Sequence, residues 1–235
     1  MAPPPKALLF DVFGTVVDWR GSIAREARRV GRAKGVRADW SAFADAWRAG
    51  YRPAMDCVRR GELPWLSIDA LHRMILDQLL RQFELPLTER EKVDLNSAWH
   101  RLAAWPDTVA GLKRLKRRYV IGTLSNGNVA LLLDLARRRG LPWDCILSAE
   151  LFHRYKPDPE VYLGAVELLA LAPREVMLVA AHKDDLAAAR RCGLKTAFVR
   201  RPLEYGARSK PDLADDRRAT VNADDFLDLA RQLSA

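Results

Sequence analysis

The sequence predicts an α/β fold: a Rossmann-like parallel sheet core flanked by helices, with an inserted helical cap domain. Short apolar runs alternate with helical patterns through the second half of the chain, which is typical of a parallel sheet covered by helices. Only helical patterns occur between the first predicted strand and the second, which indicates an insertion into that core. We therefore expect a core domain formed by 1–18 and 106–235 and a cap domain formed by 19–105.

The first predicted strand is Ala7–Phe10, which ends directly before Asp11. Four later apolar runs predict further buried strands over 119–124, 145–147, 176–180 and 196–199. Within the insertion, apolar residues at helical spacing predict helices over 22–33, 39–58, 67–83 and 88–104. In the core, we expect Asn128 to cap a helix that ends at Gly140, and Asp158 to cap a helix that begins with the next residue, a proline.

The charge balance raises two functional classes. The 235 residues include 39 Lys and Arg against 30 Asp and Glu, a formal net charge of +9. Such an excess fits a nucleic-acid-binding protein or an enzyme that attracts small anions. The basic clusters lie mostly toward the C-terminal ends of predicted helices, where they complement the helix dipole, and no aromatic residues interleave with them. We therefore expect solvated basic helix faces and no nucleic-acid partner.

Composition excludes several other classes. Apolar residues make up 49% and charged residues 29% of the chain, which is ordinary for a globular protein and excludes a disordered one. No run approaches the roughly 18 consecutive apolar residues of a membrane span, and the first residues lack the apolar stretch of a secretory signal. Cys57, Cys145 and Cys192 lie far apart, which argues against a disulfide framework or a zinc site and predicts a cytoplasmic location.

Ligands bind at the carboxyl ends of the strands in a parallel sheet, so the residues at these ends are the candidate site. Asp11 follows the first strand, with Gly14 permitting a tight turn and Thr15 able to hydrogen-bond a neighbouring oxygen. An ionised Asp held by donors is a candidate nucleophile. An Asp that only caps a turn has the same local pattern and remains the alternative.

The second strand is followed by Ser125 and Asn126 at the start of a helix, where side-chain and backbone donors can form an anion site. Simple capping by Asn128 is compatible with that role. Lys156 lies in a proline-fixed segment, and a cation beside Asp11 would keep that carboxylate ionised. A solvated surface lysine is the alternative for this position.

Four motifs occur in order, each after a predicted strand: Asp-x-Phe-Gly-Thr at Asp11, Ser-Asn-Gly at Ser125, Tyr-Lys-Pro-Asp around Lys156, and an acidic helix start at 184–185. Alone, the acidic start also fits favourable charge in a first helical turn. Together the motifs resemble those of the haloacid dehalogenase superfamily, and the helical insertion is similar to that superfamily's cap. The resemblance extends from about Lys6 over nearly the whole chain.

That superfamily includes many magnesium-dependent phosphatases, which place a second Asp two residues after the nucleophile and a metal-binding Asp after the fourth strand. This chain has Phe13 and Ala181 at those positions, and magnesium needs oxygen ligands, so no metal cofactor is expected. A halide leaves as a stable anion without a proton. The same residues therefore fit the type II 2-haloacid dehalogenases, which also have an aromatic residue at the Phe13 position.

The resemblance implies a two-step reaction on a small 2-haloacid. Asp11 attacks the halogen-bearing carbon and forms an ester, and water then attacks the side-chain carbonyl of Asp11 and releases a 2-hydroxyacid. Thr15 and Lys156 would hold Asp11 in place. Asp185, coupled to Lys156, would orient or activate the water, and Tyr162 would support this network. The same resemblance implies substrate-binding roles for Val12, Phe13, Arg48, Ser125 and Asn126, with Arg48 of the cap meeting the halide or carboxylate.

His182 is a departure from the best-known type II members, which have Ser-Ser-Asn where this chain has 180–182. An imidazole there titrates near neutrality, so His182 could position water, act as a base or donate to the departing halide. A histidine that only hydrogen-bonds the backbone is the alternative. Two other functions stay open, a magnesium-dependent phosphatase and a non-catalytic metabolite-binding member, and the resemblance is compatible with a homodimer, since relatives often dimerise.

Overall fold

The computed structural model of the chain describes residues 4–207 and 209–235. The described chain divides into two compact units, one formed by 103–235 with the described part of 1–18 and the other by Trp19–Leu102. The predicted second boundary, after residue 105, lies three residues later than this division, because Ala103 and Ala104 form a strand with the first unit. The prediction about a secretory signal rests partly on 1–3, which lie outside the described residues.

The first unit is built on a sheet of six strands. The strands of the described chain are β1 (Ala7–Phe10), β2 (Val17–Asp18), β3 (Ala103–Ala104), β4 (Val120–Ser125), β5 (Cys145–Ser148), β6 (Val176–Ala180), β7 (Lys195–Val199) and β8 (Val221–Ala223). The sheet order is β5-β4-β1-β6-β7-β8 and each of its pairs is parallel, whereas β2 and β3 form a separate antiparallel pair. The predicted α/β fold with a parallel sheet is confirmed.

The sheet register brings three strand ends to one edge. Phe10, the last residue of β1, pairs with Thr123 of β4 on one side and with Val179 of β6 on the other. All four residues of β1 are buried, as expected for a central strand of a parallel sheet covered by helices. The residues that follow β1, β4 and β6 therefore emerge side by side at the carboxyl edge, where such folds bind ligands.

The helices of the described chain are α1 (Trp19–Ala33), α2 (Trp40–Arg59), α3 (Ile68–Gln82), α4 (Glu89–Asn96), α5 (Thr108–Leu115), α6 (Val129–Arg139), α7 (Pro159–Leu168), α8 (Lys183–Arg191) and α9 (Phe226–Gln232). The first four belong to the second unit, and the others surround the sheet of the first. Across 4–207 and 209–235, none of these helices is long and apolar enough to cross a membrane.

In the core, α6 begins and ends, and α7 begins, at the predicted residues, but the side chains predicted to cap them make no capping hydrogen bond. α6 ends before Gly140, whose φ of 63° is left-handed and suits glycine. Asn128 occupies the position before α6, yet its side chain makes no capping hydrogen bond, and the amide of Val129 donates instead to Glu150 Oε2 at 2.7 Å. Asp158 likewise precedes α7 without a side-chain capping bond.

The fourth predicted helix of the insertion, 88–104, is too long. α4 ends at Asn96, a 3₁₀ turn covers Ser97–Arg101, and the chain then becomes extended in β3. The Ser97 hydroxyl donates to the carbonyl oxygen of Asp94 at 2.7 Å, and this local bond competes with continuation of the α-helix. Apolar spacing alone did not reveal this break.

The aromatic stripe of α2 packs inside the second unit. Trp40, Phe43 and Trp47 are all buried, and the rings of Phe43 and Trp47 meet edge to face with centroids 5.6 Å apart. The indole N–H of Trp47 donates to the carbonyl oxygen of His72 at 3.0 Å. The stripe therefore contributes to the packing of this unit.

Candidate active site

Asp11 is the first residue after β1 and is held at both carboxylate oxygens. Lys156 Nζ lies 2.9 Å from Oδ1. The Thr15 hydroxyl donates to Oδ2 at 2.8 Å, and His182 Nδ1 lies 3.1 Å from the same oxygen. The residue is only 7% exposed, and its backbone amide continues the pairing of the sheet by donating to Val179 O. Asp11 is therefore a fixed carboxylate at the carboxyl edge.

The turn after Asp11 fixes the Thr15 hydroxyl. Gly14 has a φ of 85°, a left-handed conformation that favours glycine, and a Cβ there would lie 2.1 Å from Glu204 Oε1. The amide of Ala181 donates to Thr15 Oγ1 at 3.0 Å. Because that amide takes an acceptor lone pair of the hydroxyl, the Thr15 proton is directed at Asp11.

The half-buried Trp105 and the buried Arg201 hold the same turn. The indole N–H of Trp105 donates to Gly14 O at 2.8 Å, and Arg201 Nε donates to Thr15 O at 2.8 Å. The other guanidinium nitrogens of Arg201 bind both oxygens of Asp107 at 2.8 and 2.9 Å. A bidentate pair of this kind is geometrically restrictive, so it limits movement of the turn.

Asn126 holds the backbone of Lys156 and so positions its side chain beside Asp11. The Asn126 side chain accepts from the Lys156 backbone amide at 2.7 Å and donates to its carbonyl oxygen at 3.4 Å. The ammonium then bridges Asp11 Oδ1 and Asp185 Oδ2, the latter at 2.5 Å. The Tyr162 hydroxyl donates to the other oxygen of Asp185 at 2.6 Å. Each oxygen of Asp185 therefore has a donor.

Burial and ion pairing set the charge states. Burial would raise the pKa of Asp11, but the Lys156 ammonium and the His182 imidazole outweigh it and hold that pKa well below its ordinary value. Burial would lower the pKa of Lys156, but the two carboxylates raise it above its ordinary value. Burial, with the nearby Asp11 charge, raises the pKa of Asp185 despite the Lys156 contact. Of the two carboxylates that share one cation, Asp11 is the more acidic.

His182 immediately precedes α8 and bridges two carboxylates. Its Nδ1 faces Asp11 Oδ2, and its Nε2 lies 2.9 Å from Glu204 Oε1. Burial would lower the pKa of His182, but the charges of Glu204 and Asp11 and its hydrogen bonds to them raise it to about 10. Carboxylate oxygens only accept hydrogen bonds, so both ring nitrogens carry protons at neutral pH.

Glu204 was missing from the sequence-based site. It lies in the loop after β7 and is 3% exposed. It is the fifth residue after the fifth predicted strand, so its place near a strand end is the signal that the sequence offers. No local motif marks it, because its contact with His182 depends on the path of an irregular loop.

At the predicted anion site at the start of α6, protein side chains already accept hydrogen bonds from the backbone amides. Ser125 Oγ accepts from the amide of Gly127 at 3.1 Å, and the amide of Val129 donates to Glu150. Val12 and Phe13 are buried, and the Phe13 ring lies close to Gly127, where a Cβ would be 3.2 Å from its Cζ. Two of the amides expected to bind an anion thus already have acceptors.

Arg48 lies on α2 in the second unit. Its guanidinium carbon is 4.4 Å from the ring centroid of Tyr51 and 5.7 Å from that of Trp19. Guanidinium groups are attracted to aromatic faces at such distances, so these rings orient Arg48 within its unit.

The residues around Asp11 do not fit a magnesium ion. Protonated groups from Lys156, Thr15 and His182 already face the two oxygens of Asp11. Phe13 and Ala181, which the resemblance aligns with metal-ligand positions, have no side-chain oxygen. Within the part of the chain that is described, no group of three or more His, Cys, Asp or Glu is arranged to hold a metal ion. A cation would have to displace two positive side chains.

The chain belongs to the haloacid dehalogenase-like hydrolases, since the sequence model of that family matches residues 5–193. A curated relative is (S)-2-haloacid dehalogenase 4A of Burkholderia cepacia, 31% identical over 85% of this chain and 86% of its own. A solved L-2-haloacid dehalogenase is 52% identical, with a TM-score of 0.92 over 97% of this chain and 99% of its own. A solved defluorinating L-2-haloacid dehalogenase is 46% identical, with a TM-score of 0.95 over 98% of this chain and 96% of its own. The predicted membership of the superfamily is confirmed.

Proposed function

We propose that the protein hydrolyses small 2-haloacids to 2-hydroxyacids through an ester on Asp11. The observation that carries this proposal is the ionised, buried carboxylate of Asp11, held at both oxygens by donors from three different segments. The names of the similar proteins support the substrate class, and they also favour the (S) enantiomer. The defluorinating relative adds fluoroacetate to the substrates to be tested.

In the first step, one oxygen of Asp11 attacks the carbon that bears the halogen, and the carbon–halogen pair of electrons leaves with the halide. Oδ2 has two donors, Thr15 and His182, whereas Oδ1 has Lys156. Hydrogen bonds withdraw electron density, so Oδ1 is the better nucleophile. Positioning supplies much of the rate in such a displacement, because attacking oxygen, carbon and halide must be in line.

In the second step, a water oxygen bonds to Cγ of Asp11, and the bond from Cγ to Oδ1 breaks. One proton of the water passes to Asp185, whose raised pKa suits a base. Lys156 lies between Asp185 and Oδ1 and can pass a proton to the departing oxygen, which becomes the hydroxyl of the product. The second proton leaves when the regenerated Asp11 ionises.

The other predicted residues have supporting roles in this proposal. Tyr162 fixes Asp185, and Asn126 fixes the backbone of Lys156. A substrate contact by Asn126 stays a prediction. Arg48 would offset the charge of the substrate carboxylate. Roles for Ser125, Val12 and Phe13 in substrate contact stay predictions, as do a homodimer, a cytoplasmic location and the lack of a nucleic-acid partner.

The test is halide release from 2-chloropropionate in the presence of EDTA. We expect turnover by the wild-type protein, none by Asp11→Asn, and near wild-type turnover by the matched control Asp184→Asn, which changes an exposed residue. After several turnovers in heavy-oxygen water, mass spectrometry should find the label in Asp11. Magnesium-dependent phosphate release instead, or no turnover of either substrate class, would contradict the proposal.

A further inference from the structure

Hydrolysis of an ester at Asp11 places a negative charge on Oδ2 in the tetrahedral intermediate. In the resting protein, Oδ2 already faces two donors, the Thr15 hydroxyl at 2.8 Å and His182 Nδ1 at 3.1 Å. Preorganised donors aimed at a developing oxyanion are among the strongest catalytic devices, because they need no rearrangement during the reaction. The geometry therefore suits stabilisation of this oxyanion.

Two carboxylates stabilise the positive charge of His182 in the resting protein, but only one does so once the ester has formed. At rest, carboxylates face both ring nitrogens, Asp11 on one side and Glu204 on the other. Once Asp11 is esterified, it is neutral and no longer supports the imidazolium. The carboxylate of Glu204, buried and 2.9 Å from Nε2, then remains as the partner.

We propose that Glu204 is a positioning residue that keeps His182 doubly protonated while Asp11 is esterified, so that His182 and Thr15 together form an oxyanion hole for hydrolysis of the ester. This inference rests on the proposed dehalogenase function. It assigns His182 the role of a charged donor during hydrolysis and leaves proton acceptance to Asp185. During ester hydrolysis, the carbonyl electrons move to Oδ2 as the water oxygen bonds to Cγ, and they return as the bond from Cγ to Oδ1 breaks.

Most other charged groups near His182 are already paired. His182 and Glu204 line a cleft of about 300 Å³ that also contains Lys183, Asp184, Arg201 and Asp212. Lys183 pairs with Asp212 at 2.6 Å, and Arg201 pairs with Asp107. These two pairs largely cancel in charge, and Asp184 is exposed at the start of α8. On the side of β1, Asp11 faces His182 and is itself paired with Lys156. Glu204 is the carboxylate that contacts Nε2 directly.

The decisive experiment separates formation of the ester from its hydrolysis. Rapid-quench measurements with 2-chloropropionate would follow halide release and the mass of the intact protein for the wild type, Glu204→Gln and the control Asp212→Asn. Glu204→Gln should release about one halide per site in a burst, and the ester should accumulate. We expect ester hydrolysis to slow by roughly 10²–10³-fold, the usual effect of losing an oxyanion-hole donor. Asp212→Asn, on the rim of the same cleft, should resemble the wild type.

The pH dependence distinguishes a charged donor from a base. In Glu204→Gln, hydrolysis should become faster as the pH falls through about 6.5, because His182 then regains its proton without help. His182→Asn, which keeps an uncharged N–H donor, should be slow and lack this recovery. Hydrolysis in Glu204→Gln that rises with pH, or that equals the wild type, would overturn the inference. A wild-type protein that forms no ester would instead refute the dehalogenase function itself.

Discussion

Replacement of Lys156 by Met tests the charge arrangement on which the site depends. The ammonium lies 2.9 Å from Asp11 Oδ1 and 2.5 Å from Asp185 Oδ2, and all three side chains are at most 10% exposed. At an effective dielectric constant of about 20, unit charges about 2.9 Å apart attract by about 6 kcal/mol. Desolvation offsets part of this attraction, and removal of one partner from a buried pair typically costs about 3–5 kcal/mol. We expect a loss of that size in the free energy of unfolding.

The variant also leaves two neighbouring carboxylates without their shared cation. Lys156→Met combined with Asp185→Asn removes one of them, so the double variant should recover about 1–3 kcal/mol relative to Lys156→Met. Turnover should fall by roughly 10³-fold in both variants, which corresponds to about 4 kcal/mol, because Asp11 is no longer held in place and the departing oxygen loses its proton donor.

The assay is urea unfolding at neutral pH, followed by circular dichroism and tryptophan fluorescence. The matched control is Lys183→Met, which breaks a pair whose side chains are 30% and 69% exposed. Such exposed pairs contribute about 0–1 kcal/mol. The reasoning would be refuted if Lys156→Met lost no more stability than this control, or if Asp185→Asn deepened its loss.

Three further changes have directions set by the structure. Gly14→Ala forces a Cβ to 2.1 Å from Glu204 Oε1 at a φ of 85°, so we expect the free energy of unfolding to fall by about 1–3 kcal/mol and turnover to drop sharply. Tyr162→Phe removes the 2.6 Å hydrogen bond to Asp185. A hydrogen bond to a charged group contributes about 1.5–3 kcal/mol, so kcat should fall by roughly 10–100-fold. The raised pKa of His182, about 10, implies a contribution to stability that is complete below about pH 6.5 and is lost as the pH rises through about 10. His182→Asn should therefore lose less stability than the wild type between pH 7 and pH 10.

Each of these changes has a control within the chain. Gly61→Ala shares a positive φ but has no atom within 4 Å of the added Cβ, so it isolates backbone strain from the collision. Tyr119→Phe removes a hydroxyl that donates to Leu233 O at 2.8 Å, a contact outside the Asp11 cluster. Equal effects of the paired glycine or tyrosine changes would contradict the assignments, as would parallel stability profiles of the wild type and His182→Asn.

The sheet could be predicted well because its strands are short apolar runs. β1 and β6 have the predicted bounds, β5 and β7 differ by one residue at one end, and β4 is shifted by one residue at both ends. β8 (Val221–Ala223) was missed, since it is short, contains Asn222 and is half-buried at the sheet edge. The insertion was predicted as four helices, and the error at 88–104 arose because a local side-chain bond, invisible to periodicity, ends α4 early.

The site was predictable where a residue follows directly on a strand. Asp11 follows directly on β1, and the motifs that contain Thr15, Lys156 and Asp185 are brought together with it in one hydrogen-bonded cluster. The partner of Asn126 was not predictable, because an amide can serve a halide or a backbone segment equally well in sequence. Glu204 depends on five residues of irregular loop after β7, for which the sequence offers no periodicity.

The β2–β3 pair has a consequence for engineering. Val17 faces Ala104 and Asp18 faces Ala103, so the two points at which the insertion departs and rejoins are neighbours in space. Opposed residues in antiparallel strands have Cα atoms only about 4.5–5.5 Å apart, a gap that a tight two-residue hairpin spans. Splicing Asp18 to Ala103 through Asn-Gly should yield a shortened protein in which the Asp11 cluster can be titrated by NMR in the absence of the second unit.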